Sequence, residues 1–92
     1  MPILTKTYTR PNATVAFPQR SSTALARMSS EYRNADPKVT SFVTSYNGNT
    51  MTSVTTFKDQ ASLDEYLADS IIADDLTAYC TSNNITVSQS VV

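Results

Sequence analysis

Four side chains offer the best material for a binding pocket: Tyr8, Phe42, Tyr46 and Met51. Aromatic rings and a thioether give broad apolar contact, and two phenol hydroxyls can orient an aromatic or quinone-like ligand. As plain packing residues the same four fill a dimer core between two sheets, and that is the simpler reading. Lys6 and Arg10 lie on the first extended run. They hold an anionic ligand if they face inward and are rim charges if they do not; their spacing does not separate the two.

Other chemistries are limited by composition. The chain has no histidine and no tryptophan, so Ser-His and Cys-His nucleophiles are excluded, as is a Cys/His zinc site. Cys80 stands alone beside Tyr79 on a helix-like run, where a packed thiol is expected rather than a nucleophile. Asp64, Glu65, Asp69, Asp74 and Asp75 crowd one helical segment. Converging, they would suit calcium or magnesium; spread over a helix, they form a solvated face, and the first two sit where the helix dipole favours negative charge. The single glycine, Gly48, leaves nothing for a phosphate-binding loop. No metal and no cofactor is expected.

The chain has 92 residues, a net charge of −1 and 40% hydrophobic residues. That fits one domain over residues 1–92, with enough apolar content for a core. A core this small gains from a second subunit. Spread, nearly balanced charges argue against nucleic acid as partner. The N-terminus, Met1-Pro2-Ile3-Leu4-Thr5-Lys6, lacks the pattern of a secretory signal, and no apolar run approaches a membrane span. A soluble cytoplasmic protein is expected, and the sequons at Asn12 and Asn84 read as chance matches in a Ser/Thr-rich chain.

The elements that must position these residues centre on Val39 to Lys58. Two alternating runs flank Asn47-Gly48, a pair suited to a two-residue type I′ turn. That turn predicts Tyr46 facing Asn49, Thr44 facing Met51, Phe42 facing Ser53 and Lys38 facing Phe57. Alternation then puts Phe42, Tyr46, Met51 and Phe57 on one side, and Val39, Val43 and Val54 on the other. Both faces are partly apolar and need covering.

Ile3 to Arg10 reads as a strand in which Leu4, Lys6 and Tyr8 alternate with Ile3, Thr5, Thr7 and Thr9. An ordered loop anchored by Val15 and Phe17 follows. Ser21 or Ser22 caps a helix of about Ser22 to Asn34, with Leu25, Met28, Tyr32 and Ala35 as its apolar stripe. After the hairpin, Asp59 or Ser62 caps a second helix, and Ser62 with Glu65 fits a capping box. Its stripe (Leu63, Tyr66, Leu67, Ile71) is rotated from a later one (Ile72, Leu76, Tyr79, Cys80), which predicts a break near Asp69-Ser70 with Ser70 as cap. Ile85 to Val92 is a last strand, with Ile85, Val87 and Val91 on one face.

The order strand, helix, strand, strand, helix, strand is the ferredoxin-like α+β arrangement, βαββαβ. It forms a four-stranded antiparallel sheet with helices on one face, and a sheet-to-sheet homodimer would cover the other. The stretch Thr55-Thr56-Phe57-Lys58-Asp59-Gln60-Ala61-Ser62-Leu63-Asp64-Glu65-Tyr66-Leu67-Ala68-Asp69-Ser70 resembles the dimeric α+β barrel superfamily, which includes antibiotic-biosynthesis-monooxygenase-like and stress-responsive barrel domains. The likeness lies in a strand ending in Phe, an acidic cap, and an Ala/Leu-rich helix that breaks after Tyr-Leu-x-x-Ser. It implies a homodimer with a small hydrophobic ligand between sheets. Haem-degrading members use a histidine ligand that this chain lacks. Cofactor-independent oxygenation of a polycyclic aromatic remains as an alternative to a structural or ligand-binding role. The abundance of Ser and Thr with scarce glycine also fits a phage or viral accessory protein.

Overall fold

A computed structural model describes residues 1–92. Strand β1 (Ile3–Thr9) leads through a loop to helix α1 (Ser22–Arg27), which continues as a π-helical turn over Met28–Tyr32. Strands β2 (Val39–Asn47) and β3 (Thr50–Phe57) form the hairpin. Helices α2 (Gln60–Ala68), α3 (Ser70–Ala73) and α4 (Thr77–Ser82) precede strand β4 (Thr86–Val91). The strands make one sheet in the order β2-β3-β1-β4, every neighbouring pair antiparallel. The helices cover one side of it, so the ferredoxin-like arrangement legible in the element order is the fold. No helix is long and apolar enough to cross a membrane.

The hairpin turns one residue later than the sequence predicts. Asn47 pairs with Thr50, leaving Gly48 and Asn49 in the loop, and of these two only Gly48 has positive φ, at 59°. A type I′ turn needs positive φ at both central residues, whereas type II′ needs it only at the first, where glycine belongs. The predicted turn over Asn47-Gly48 is therefore corrected. Tyr46 faces Met51 and Phe42 faces Thr55, a slip of two residues that leaves every side chain on its expected face.

Val39 is the exception. The register shifts between Val39 and Ser41, leaving Thr40 without a partner, and a bulge of this kind re-aims the neighbouring side chain. Val39 pairs with Phe57 and is buried with it under the helices, instead of sharing the outer face with Val43 and Val54.

Ser21 caps α1, its Oγ accepting the Ala24 N–H at 3.2 Å. The buried stripe is Ala24, Met28 and Tyr32, while the expected Leu25 and Ala35 are exposed. The wide π turn, closed by the Arg33 N–H on the Met28 carbonyl at 2.9 Å, inserts an extra residue and swings Tyr32 inward. Asp59 caps α2, accepting the Ser62 N–H at 2.8 Å. Glu65 makes no capping box and instead meets Lys38 at 2.6 Å. The predicted break falls in place, but Asp69 rather than Ser70 caps α3, through the Ile71 N–H at 3.2 Å. A further break at residues 74–76 separates α3 from α4.

The apolar interior has two parts. Leu4, Ala24, Met28, Tyr32, Val39, Phe57, Leu63, Tyr66 and Ile72 pack under α1 to α3. Tyr8, Met51, Cys80 and Ile85 form the second, flanked by Val15, Phe17 and Leu76. The seam between the two parts is where the molecule is open.

Candidate functional site

Register places the helix-facing side chains of the sheet in rows. Phe42, Thr55, Leu4 and Val91 make one row across the strands; Tyr46, Met51, Tyr8 and Val87 make another. Between them runs a third: Thr44, Ser53, Lys6 and Gln89. That middle row is polar throughout and short at Thr44 and Ser53, and space remains above it.

Three connected clefts fill that space. The largest, about 360 Å³, is lined by Tyr8, Phe42, Tyr46 and Met51 together with Thr44 and Ser53 on the floor. Leu25 of α1, Leu76 and Arg20 close it from above. A second, about 280 Å³, runs from Lys6 and Tyr8 to Leu76, Cys80 and Ile85. The third, about 210 Å³, lies between Lys6, Arg20, Tyr66, Ile72 and Gln89. Tyr8 and Leu76 border the first and second clefts, Lys6 the second and third, and Arg20 the third and first.

The four sequence-predicted residues therefore meet around one space. That space lies between sheet and helices of a single chain, not between two sheets, because all four point to the helix side. Tyr8 and Met51 are buried, Phe42 is half-buried and Tyr46 is 65% exposed, which makes it the movable wall. Its ring leans on Phe17, centroids 5.4 Å apart. Arg10 is spent on structure: its guanidinium donates to Asn49 Oδ1 and to the Val15 carbonyl, both at 3.0 Å, and stacks over Phe17. The loop so held is pinned again by Tyr79, whose hydroxyl donates to the Ala16 carbonyl at 2.6 Å.

Lys6 takes the opposite course. It faces the helices between Leu4 and Tyr8, with its ammonium 5.5 Å from the Tyr8 ring centroid. Burial lowers its pKa and the Arg20 guanidinium adds to the effect. Burial likewise pushes the Tyr8 phenol up to about 12, against the pull of Arg20. Cys80 is raised by burial and remains a thiol. Arg20 was not foreseen in the sequence, since it sits in a loop where no periodicity marks it. Its Nη2 donates to the Tyr66 hydroxyl at 2.8 Å.

The acidic residues of the second half do not converge. Asp69 binds Arg27 and Tyr32, Asp75 accepts from Ser21, Asp64 from Gln60, and Glu65 pairs with Lys38. These four are joined to different neighbours, Asp74 makes no side-chain hydrogen bond or ion pair, and the acids form no cluster that could hold a metal ion.

Among solved structures, the fold is shared with other proteins. A candidate antibiotic biosynthesis monooxygenase from Deinococcus radiodurans superposes on the whole of this chain and 90% of its own, with a TM-score of 0.64 and 11% identity. The chain shares the ferredoxin-like fold of that protein. At that identity the likeness is one of fold. Neither a protein-family profile nor a curated protein matches the sequence.

Proposed function

We propose that this protein binds a small, largely apolar ligand between its sheet and its helices, in the cleft walled by Tyr8, Phe42, Tyr46 and Met51. The observation that carries this reading is the short-side-chain floor. Thr44 and Ser53 stand among large apolar groups and leave about 360 Å³ unfilled, a volume within the range of small-molecule sites. Rings on two sides suit a planar aromatic body. Tyr46, exposed and held only by Phe17, is free to move aside on entry.

Oxygenation of such a ligand, the activity for which the Deinococcus protein is named, needs a group to take the ligand's proton. The phenol of Tyr8 keeps its own proton to about 12 and acts in this cleft as a donor. The residues lining the cleft thus favour binding and orientation.

We infer further that the protein is a homodimer joined through the uncovered side of the sheet. That side presents Ile3, Val43 and Val54 among Thr5, Thr7, Thr52, Thr56, Ser41, Ser45 and their neighbours, and no charged residue. All fifteen charged side chains of the chain lie elsewhere. A face without charge packs on its own twofold copy without repulsion, and interface centres are depleted of charge.

The cleft is tested with N-phenyl-1-naphthylamine, an uncharged dye that brightens in apolar sites. Wild-type protein should bind it saturably, and Ser53→Leu, which fills the floor, should weaken binding about tenfold or more while the thermal midpoint holds. Equal binding by a folded Ser53→Leu variant would place the dye elsewhere and overturn the proposal.

A further inference from the structure

The charges around the clefts are not arranged as a folded protein usually arranges them. The three ion pairs of the molecule use Arg27, Lys38 and Lys58, and Arg10 is turned away from the clefts, onto Asn49, Val15 and Phe17. Three cations are left: Arg33, which is exposed after the π turn, and Lys6 and Arg20, which both line the same space of about 210 Å³. The rest of that lining is Leu4, Tyr66, Leu67, Ile72, Ala73 and Gln89, with no carboxylate among them. Arg20 has only neutral partners, the Tyr66 hydroxyl and, at 3.5 Å, the Ile72 carbonyl. Lys6 has only the face of Tyr8. The nearby acids are engaged elsewhere, Asp75 by Ser21 and Asp69 by Arg27 and Tyr32.

A lysine on the apolar face of a central strand is costly, and a second cation facing the same space raises that cost. Each would be relieved by one anion placed between them. Gln89, opposite Lys6 on β4, adds an uncharged donor to the same wall. We propose that Lys6 and Arg20 hold the carboxylate, or an oxyanion of its size, of an amphipathic ligand whose apolar body occupies the aromatic cleft. Head and body are contiguous because Arg20 borders both spaces. The inference rests on the ligand-binding reading above and adds the chemical class of the ligand: an aromatic or otherwise apolar acid, not a neutral hydrocarbon.

A matched pair of dyes separates the two claims. 8-Anilinonaphthalene-1-sulfonate has the ring system of N-phenyl-1-naphthylamine plus one anionic group. The wild-type protein should bind the sulfonate about tenfold or more tighter than the neutral dye. Lys6→Met and Arg20→Gln should each remove most of that preference, and Lys6→Met, at a position outside the lining of the aromatic cleft, should leave the neutral dye's affinity unchanged. Lys58→Met, which removes the same charge from an exposed site, should change neither. Equal affinities for the two dyes, or a Lys58→Met effect as large as that of Lys6→Met, would overturn the anion site while leaving the apolar cleft standing. Absence of saturable binding by either dye would remove both. A second readout is independent of fluorescence: 2-naphthoate should raise the thermal midpoint of the wild type and not of Lys6→Met, whereas 2-naphthalenemethanol should treat the two alike.

Discussion

The hydroxyl of Tyr32 donates to Asp69 Oδ2 at 2.7 Å, the same oxygen that Arg27 Nε meets at 2.7 Å. One carboxylate thereby ties the π turn after α1 to the break between α2 and α3, while its other oxygen caps α3. The π turn has a purpose in this geometry. By adding a residue it brings Tyr32 inward far enough to reach Asp69 and to meet Tyr66 edge-on, centroids 5.2 Å apart. Tyr32→Phe should lower stability by about 1 kcal/mol, the net worth of one hydrogen bond. Asp69→Ala should lower it by about 1–3 kcal/mol, because the buried Tyr32 hydroxyl loses its acceptor. Denaturant titration of both variants checks the order, and an equal or greater loss in Tyr32→Phe would show that Asp69 is not the hub.

Asp69, Tyr8 and Lys6 set the pH profile of stability. Burial tends to raise the Asp69 pKa, but Arg27, Tyr32 and the Ile71 N–H together hold it below the usual carboxylate value. Its contribution is therefore present above about pH 4 and lost as pH falls through the lowered value. At the alkaline end, the Tyr8 phenol is pushed up to about 12, so stability falls as pH rises from about 10 toward that value. Lys6 works the other way. Its folded pKa is lowered, so the charged amine costs stability at neutral pH and the cost fades as pH rises to the unfolded value near 10.5. Lys6→Met should thus leave the thermal midpoint at neutral pH unchanged or higher, and should flatten the rise before the tyrosine-driven fall. A midpoint lowered by several degrees would mean that Lys6 is a structural residue.

Much of this fold is legible in the sequence because apolar spacing and caps agree with one another. The element order, the cap-rich starts of both helical segments and the break at Asp69 came from local pattern. Departures arose where tertiary contact outweighed that pattern. Val39 changed face through a bulge with no sequence mark, and Leu25 gave way to Ala24 because the helix turns its small side chain to the sheet. The four aromatic and thioether residues of the cleft were identifiable from strand parity, but not the side of the sheet they face, since both faces carry apolar groups. Lys6 was visible as the charged member of the Leu4, Lys6, Tyr8 set. Arg20 was not, because a loop residue is brought to its partner only by the fold.

The turn makes a sharp prediction of its own. Gly48 has φ 59°, and a Cβ built there meets nothing within 4 Å. Any cost of substitution is then backbone strain and not a clash. Gly48→Val should destabilise by about 1–2 kcal/mol, because a β-branched side chain tolerates positive φ poorly. Equal midpoints for wild type and Gly48→Val in a thermal melt would show that the loop relaxes to another turn type.

The two sides of the sheet give opposite outcomes for the same kind of substitution, and this is the cleanest test of the proposed homodimer. Met51 is 5% exposed and packed with Tyr8, Cys80 and Ile85 on the helix side. Met51→Asp buries an unpaired carboxylate and should unfold the protein rather than merely separate subunits. Val43 and Val54 face each other on the uncovered side, and Val43 is 56% exposed in the single chain. Val43→Asp therefore costs the monomer little, yet on a twofold interface it places two like charges in an apolar patch. Sedimentation equilibrium should show a wild-type dimer and a folded Val43→Asp monomer with unchanged far-ultraviolet circular dichroism. A wild-type monomer at micromolar concentration, or a Val43→Asp variant that sediments as an intact dimer, would remove this face from the interface. In the second case the edge strands β2 and β4, whose backbone can pair with a second copy, become the next surfaces to test.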